Sequence, residues 1–221
     1  MNVAILIPTL GRPDALAPLL QNLRQTTGPF YRVYFVVDHE DLETRRVLET
    51  MPGFDFETVL CDGTFPVKTN AGYRASRAEE LIAPLADDVV FHDGWYEAAV
   101  KRFEDRDVQV VGTLDLTPAT AKGNHATMPI LRRSYIEDPG AVWGEPGKIF
   151  HEGFHHQFVE TELWRLACHR GVAIFERESV IEHRHHGWKT REVDDTDRKG
   201  NMQGWDADKA LFQTRRDEWT A

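Results

Sequence analysis

Two adjacent carboxylates, Asp87 and Asp88, stand at the start of the apolar run 89–91. The β-branched and aromatic residues of that run are typical of a short strand, and Asp93 and Gly94 after it are typical of a turn. We therefore expect the pair at the edge of a strand, beside a loop. Neighbouring carboxylates repel each other, and Mg²⁺ or Mn²⁺ would offset that repulsion while keeping positions for water and phosphate. A solvated acidic strand end is the simpler alternative, which the pair taken alone favours.

The composition is that of an ordinary soluble globular protein. The chain has 221 residues, 41% hydrophobic and 28% charged, which suits one sizeable domain. Its formal net charge of -10 argues against non-specific binding to nucleic acid. Cys61 and Cys168 are too few for a disulfide scaffold, which fits a reducing, cytoplasmic setting. The first apolar run, residues 3–7, is too short for a signal peptide or a membrane span, so we expect no integral membrane association.

Continuous apolar runs alternate with helical patterns in the first part of the chain. Residues 3–7, 33–37 and 56–60 are predicted strands, and residues 15–23 and 42–51 are predicted helices. This alternation indicates an α/β fold with a mostly parallel sheet sandwiched by helices, in which ligands bind beyond the carboxyl ends of the strands. The loops after the first two strands are therefore candidate site loops.

The later elements are predicted from shorter patterns. Residues 68–75 lead into a helix expected to reach Leu81 and Ile82, with Lys68 and Arg74 as possible phosphate partners. The remaining expectations are strands at 108–114 and 128–131, a long loop at 138–153, a helix at 158–170, and short strands at 173–175 and 180–181. We expect one domain over residues 1–190 and a charged tail over residues 191–221, in which residues 211–219 favour a short helix.

Polar and small residues follow the predicted strands in an ordered series. Pro8, Thr9 and Arg12 follow the first strand, Asp38 follows the second, Asn70 and Gly72 lead into a helix, and the acidic pair is followed by Gly94 and Trp95. This series resembles the GT-A fold glycosyltransferases, specifically the large inverting family called family 2, over residues 3–186. Two positions differ from the family pattern. His39 follows Asp38 where a second aspartate is usual, and Ala86 stands at the first place of the acidic motif.

The resemblance implies a Rossmann-like nucleotide-diphospho-sugar transferase fold and a set of site residues. It assigns binding of the nucleotide sugar to Pro8, Thr9, Arg12, Asp38, Lys68, Asn70, Gly72, Arg74 and Asp87. Mn²⁺ or Mg²⁺ would be held by Asp88, with Asp87 and a C-terminal histidine, His183 or His185, completing the shell. The carboxylate that deprotonates the acceptor would be Glu160, ranked first, or Glu162, because the family's acceptor-side motif aligns with this stretch.

The activity that the resemblance implies is metal-dependent transfer of a sugar from a nucleotide diphosphate to an acceptor hydroxyl, with inversion. A UDP-sugar is favoured as donor, since Asp38 could accept a hydrogen bond from uracil. The sequence leaves the acceptor open among saccharide, lipid, protein and modified nucleic acid, and it leaves the oligomeric state open too.

Two other functions compete with this interpretation. His151, Glu152 and His155 match the HExxH signature of zinc metallohydrolases, with Glu176 or Glu178 as a conceivable third ligand. That signature needs a helix, which the nearby prolines and glycines disfavour. The second alternative is a nucleotide-sugar-binding domain that has the fold without the activity, to which Ala86 in the acidic motif gives some weight.

Overall fold

The computed structural model of the chain describes residues 1–184, 192–193 and 204–220. Within them, the strands are β1 (Val3–Thr9), β2 (Tyr31–Val37), β3 (Phe56–Leu60), β4 (Leu81–Pro84), β5 (Val89–Phe91), β6 (Val110–Leu114), β7 (Ile130–Arg132) and β8 (Ala173–His183). The helices are α1 (Pro13–Thr27), α2 (Leu42–Thr50), α3 (Phe65–Ala75), α4 (Trp95–Arg102), α5 (Arg133–Glu137), α6 (Val159–His169) and α7 (Trp205–Thr220). None of the helices in these described ranges combines the length and the apolar character needed to cross a bilayer.

The strands form one sheet in the order β3-β2-β1-β4-β7-β6-β8-β5. Strand β1 pairs in parallel with β2 and β4, β2 with β3, and β6 with β8. Strand β7 is antiparallel to β4 and β6, and β5 is antiparallel to β8. The prediction of a mostly parallel sheet is confirmed, and its carboxyl edge carries the loops that follow β1, β2 and β4.

Helices cover both faces of this sheet, as alternate residues of β1 demonstrate. Val3, Ile5 and Ile7 are buried in a core with α1 and α4. Ala4 and Leu6 are buried in a second core with α3 and α6. Because successive side chains of a strand point to opposite faces, a strand covered on both sides must be apolar at every position. This explains why β1 is a continuous apolar run.

Four predicted elements have different bounds in the structure. The prediction that the third helix runs on to Ile82 is wrong, since α3 ends at Ala75 and Leu81 begins β4. The segment 81–84 is instead a fully buried strand between β1 and β7. The two short strands predicted at 173–175 and 180–181 are one strand, β8, with a register irregularity opposite Thr113 and Leu114. The terminal helix begins at Trp205 and not at Leu211.

Gly112 in β6 provides a test of how tightly α6 packs on the sheet. A Cβ at this position would lie 2.7 Å from the Trp164 ring and 2.8 Å from the Cβ of Ala126. We expect Gly112→Ala to lower the free energy of unfolding by about 1–3 kcal/mol, because overpacking displaces neighbouring side chains. The control is the same substitution in a Trp164→Phe background, since the smaller ring lacks the Cζ3 and Cη2 atoms that the new Cβ would meet. An equal loss in the two backgrounds in urea denaturation would contradict this account of the packing.

Candidate functional site

The loop after β1 is fixed by a side chain from the neighbouring loop. Asp41 caps α2 by accepting a hydrogen bond from the backbone N–H of Thr44 at 3.2 Å. Its other oxygen accepts the backbone N–H of Gly11 at 2.7 Å. Because the two loops follow neighbouring parallel strands, one carboxylate can hold both. The position of Arg12, at the N-terminus of α1, is set by this contact.

Asp87, in the loop after β4, is buried against the end of β1. Its Oδ2 accepts a hydrogen bond from the hydroxyl of Thr9 at 2.7 Å, and its Oδ1 accepts one from Nη1 of Arg12 at 2.7 Å. The residue is only 6% exposed. Burial raises the pKa of Asp87, and the Arg12 guanidinium and the Thr9 hydroxyl oppose that rise by favouring the anion. The structure therefore brings together Thr9, Arg12 and Asp87, three residues that the sequence assigned to one ligand.

Asp88 lies beside His183, at the end of β8. Its Oδ1 is 3.2 Å from Nε2 of His183, and its Oδ2 is 3.7 Å from Nη1 of Arg12. The antiparallel pairing of β5 with β8 sets this contact, since Val89 is opposite His183. Burial acts to lower the pKa of His183, but the Asp88 carboxylate outweighs it and raises that pKa. A carboxylate and an imidazole thus meet at the edge of the sheet, while His185 lies outside the described residues.

Asp38 and Lys68 form a close ion pair over the ends of β2 and β3. The Nζ of Lys68 donates to Oδ2 of Asp38 at 2.6 Å, and Lys68 is 5% exposed. The sequence suggested Lys68 as a phosphate partner, but in the structure it contacts the aspartate predicted to recognise the base. His39, which stands in place of the family's second aspartate, instead contacts Asp62 at 2.9 Å.

Asn70, Gly72 and Arg74 lie on α3, and their contacts are with the protein itself. The Asn70 amide accepts the backbone N–H groups of Ile149 and Phe150 and donates to the Phe150 carbonyl and to Glu152. Those four hydrogen bonds are the number that an amide side chain can make. Gly72 allows α3 to approach the sheet, since a Cβ there would lie 3.0 Å from Val36. The binding of a nucleotide sugar by these three residues stays a prediction.

The two candidate bases at the start of α6 have different surroundings. Glu162 is buried, and its Oε1 accepts from Nε of Arg215 at 2.8 Å. Desolvation raises the pKa of Glu160 to about 7, and its own backbone N–H and the charge of His183 oppose that rise. A carboxyl group with that pKa is half ionised at neutral pH, which is the property that a general base needs. Of the two, Glu160 has the chemistry of a proton acceptor and Glu162 that of a structural ion pair.

The segment that matches HExxH does not form a helix. Residues 151–158 are a loop before α6. Nδ1 of His151 lies 2.6 Å from Glu145, and Glu152 accepts a hydrogen bond from Asn70 at 3.1 Å. The helix that would direct both imidazoles at one metal is therefore missing. Across the described ranges, no group of three or more His, Cys, Asp or Glu side chains is arranged to hold a metal ion.

A cavity adjoins the two aspartates, and it brings in residues that the sequence did not single out. It has a volume of about 520 Å³ and lies between the first half of α1, residues 87–90 and Arg184. The backbone N–H of Arg184 donates to the Asp88 carbonyl at 2.8 Å, which holds its side chain beside the aspartates. The charges of Asp88 and His183 also act on His156, which lies in the loop before α6. No local pattern distinguishes Arg184, since it reaches the site through tertiary contacts.

Comparison with known proteins identifies the family of this chain. The sequence profile described as "Glycosyl transferase family 2" matches residues 4–184. A comparison with the curated proteins gives no match. The similarity to the family profile therefore covers the sheet from Ala4 onward and the candidate site residues from Pro8 to Arg184.

Solved structures of similar fold include two glycosyltransferases. The mannosyltransferase PcManGT from Pyrobaculum calidifontis, in complex with GDP-Man and Mn²⁺, superposes with a TM-score of 0.63 at 17% identity, covering 82% of this chain and 56% of that one. TarS 1-349 from S. aureus superposes with a TM-score of 0.59 at 12% identity, covering 82% and 59%. TarS in complex with UDP-GlcNAc gives 0.51 at 13% identity, covering 62% and 47%. The present chain spans less than two thirds of the length of these proteins, and at such identities the likeness concerns the fold.

Replacing Glu160 should stabilise the protein at alkaline pH. The pKa of this group is about 7 in the folded state and near its ordinary 4.5 in the unfolded chain. Between those values the folded state binds more protons, so wild-type stability falls as the pH rises. Glu160→Gln removes that loss, and its melting temperature should exceed that of the wild type by several degrees at pH 8, with a smaller gap at pH 5. Thermal denaturation in EDTA measures this, with the exposed Glu104→Gln as control. A gap that stays the same at both pH values would contradict the raised pKa.

Proposed function

The chain belongs to glycosyl transferase family 2, and from this we propose that it transfers a sugar from a nucleotide diphosphate to an acceptor hydroxyl, with a divalent metal ion and with inversion. The contact between Asp88 and His183, next to Arg12 and within the electrostatic reach of Glu160, is the observation that carries the proposal. This contact places two side chains that can bind a metal ion, a carboxylate and an imidazole, near Glu160, whose pKa suits a general base.

The donor side of the proposed site runs along the carboxyl ends of β2, β1 and β4. Asp38 and Lys68 stand at one end, where they offer an acceptor and a donor to a nucleotide base. Thr9, Arg12 and Asp87 stand at the other, beside the cavity of about 520 Å³. A UDP-sugar is our first choice of donor, because Asp38 can accept the N–H of uracil. The similar structures contain GDP-Man in one case and UDP-GlcNAc in another, so both nucleotides belong in the test.

The metal fits best at Asp88 and His183. Both oxygens of Asp87 already accept hydrogen bonds, from Thr9 and from Arg12. Asp88 supplies a carboxylate and His183 an imidazole, a donor set that suits Mn²⁺ and leaves further positions to water and phosphate. When bound there, a divalent ion would act as a Lewis acid that neutralises charge on the leaving diphosphate. Asp87 would then serve the nucleotide sugar, and a role for His185 stays a prediction.

Glu160 is the proposed general base. Its carboxylate would take the proton of the acceptor hydroxyl as the hydroxyl oxygen forms a bond to the anomeric carbon and the bond from that carbon to the diphosphate breaks. One displacement from the side opposite the leaving group inverts the configuration at that carbon. Glu162 is less suited to this role, because it already neutralises Arg215 at 2.8 Å.

Metal-dependent binding of a nucleotide tests the donor side. We expect UDP with Mn²⁺ to raise the melting temperature more than either alone, because a ligand that binds only the folded state stabilises it. Asp88→Asn should remove the effect of Mn²⁺ and lower nucleotide release from a donor sugar at least tenfold while the protein stays folded. GDP and CMP with Mn²⁺ are the comparisons for the base.

Three other outcomes of that experiment would argue against the proposal. Stabilisation by Zn²⁺ alone, without any response to a nucleotide, would favour the site at His151 and His155. Nucleotide binding without turnover of a donor sugar would favour the non-catalytic alternative. Full activity of Asp88→Asn would place the metal elsewhere.

The pH dependence of turnover tests the base. Turnover should rise with pH through about 7, since the proposed base must be ionised and the pKa of Glu160 is about 7. Glu160→Gln should keep nucleotide affinity but lose turnover by about 100-fold or more, the scale of general-base catalysis. Glu162→Gln should mainly lower the melting temperature, because it removes the nearer of the two anions beside the buried Arg215. If Glu162→Gln is the variant that loses turnover at full stability, then Glu160 is not the base.

A further inference from the structure

We propose that Asp208 on α7 is a positioning residue for the acceptor half of the site, which makes the terminal helix a working part of that site. The inference rests on the proposed function, because it takes Glu160 as the group that meets the acceptor. It goes beyond that function by assigning a role to the segment 204–220, which lies after the part matched by the family profile.

The Asp208 carboxylate binds three consecutive backbone N–H groups just before α6. Its Oδ1 accepts from His155 at 2.8 Å, and its Oδ2 accepts from His156 at 2.9 Å and from Gln157 at 2.7 Å. Asp208 is 2% exposed. Successive backbone N–H groups that point to one place form a concave binding site for an anion, and here the anion is supplied by the chain itself. Hydrogen bonds to a charged group are stronger than those between neutral groups, so this contact fixes the loop strongly.

The residue that follows the bound loop has an unfavourable backbone conformation. Phe158 has a φ of 66°, in the left-handed region, and α6 begins at the next residue. Such a conformation is strained in a residue other than glycine, so neighbouring contacts must stabilise it. Two rings from α7 pack on Phe158: Phe212 is stacked at 5.5 Å between centroids, and Trp205 lies at 5.1 Å. Helix α7 therefore supplies the Asp208 carboxylate that binds the loop and the two rings that pack on Phe158, where the chain turns into α6.

This turn sets the positions of two side chains at the site. His156 is inside the bound loop, its ring packs on Phe65 at 5.2 Å, and the charges of Asp88 and His183 act on it. Glu160 is in the first turn of α6, immediately after Phe158 and Val159. A rotation of the turn would move both side chains relative to Asp88. Within the described ranges, the hydrogen bonds of the Asp208 carboxylate are to the backbone of the loop, so Asp208 acts through these neighbours.

Arg215, two turns further along α7, neutralises Glu162 and so leaves Glu160 as the glutamate that can react. Its Nε lies 2.8 Å from Glu162, and its Nη1 lies 3.8 Å from Glu145. The side chains of α7 that face the protein are Asp208, Phe212, Arg215 and Trp219, and this spacing places them on one side of the helix. One face of α7 thus binds the loop, supports the turn and neutralises Glu162.

Asp208→Asn tests the proposal against Asp206→Asn, an exposed aspartate in the same turn of α7. An asparagine offers one oxygen and sets its NH₂ group against a backbone N–H. We expect kcat for release of UDP from UDP-GlcNAc, or of GDP from GDP-Man, with Mn²⁺ and with water as acceptor, to fall about 10- to 100-fold, the usual effect of a misplaced reacting group. The KM for the donor and the affinity for the nucleotide should stay within twofold, because the donor-side contacts belong to β1, β2, α3 and β4. Asp208→Glu, which keeps the charge, should recover part of kcat.

A purely structural role would give a different result. Trp219→Phe loosens the other end of α7, where the Trp219 ring lies 5.5 Å from that of His169, and it should lower the melting temperature without a selective loss of kcat. If kcat falls equally in Trp219→Phe and Asp208→Asn at matched loss of stability, or if KM and kcat change together, the proposal is wrong.

Hydrogen exchange separates this inference from the proposed function. The amides of His155, His156 and Gln157 should exchange at least tenfold faster in Asp208→Asn than in Asp206→Asn, whether or not the chain turns over a donor. Unchanged exchange rates would overturn the assigned contact. A third outcome combines faster exchange in Asp208→Asn with a wild-type protein that binds no nucleotide and releases none from either donor. That outcome would keep the contact but overturn both the proposed function and the catalytic role of Asp208.

Discussion

The burial of the Asp87 carboxylate is the constraint on which the site depends. Taking an ionised carboxylate out of water costs several kcal/mol unless a cation and hydrogen bonds compensate for the lost solvation. Arg12 and Thr9 provide that compensation, each at 2.7 Å, and both come from the end of β1 or the loop after it. The ion pair therefore fixes the distance between the loops that follow β1 and β4. Since Asp88 is the next residue, its direction is fixed by the same contact.

The partner of Asp88 is held by an independent set of interactions. His183 reaches the site because β8 pairs with β5, and its backbone N–H donates to the Asp115 carbonyl at 3.1 Å. The Asp115 carboxylate is itself buried and accepts hydrogen bonds from the hydroxyl groups of Thr117, Thr120 and Thr127. A buried carboxylate with so many donors makes the loop after β6 rigid. Two buried aspartates, Asp87 and Asp115, thus hold in place the two side chains that we propose as metal ligands, Asp88 and His183.

The sequence predicted those parts of the fold that depend on local patterns. Continuous apolar runs revealed β1, β2 and β3, and turn residues after Phe91 put the acidic pair at a strand edge. Strand β4 was missed because a four-residue apolar run after a helix has the same composition as a helix end, and its pairing with β1 is not visible locally. The contact of Lys68 with Asp38 was missed for a similar reason, since it joins residues 30 positions apart. Asp208 could not be identified from the sequence, because its role depends on backbone N–H groups more than 50 positions earlier.

Two residues at the start of α6, Phe158 and Glu160, have features that lower the stability of the fold. Phe158 has a left-handed backbone, and loss of solvation raises the pKa of Glu160 to about 7, whereas Glu162 is paired with Arg215. A sequence selected for stability alone would replace both, whereas local conflicts of this kind are expected where a fold keeps reactive groups in place. The compensating contacts come from α7, through Asp208 on the loop and Phe212 on the Phe158 ring. The proposed acceptor half of the site therefore depends on α7, as the proposed donor half depends on the end of β1.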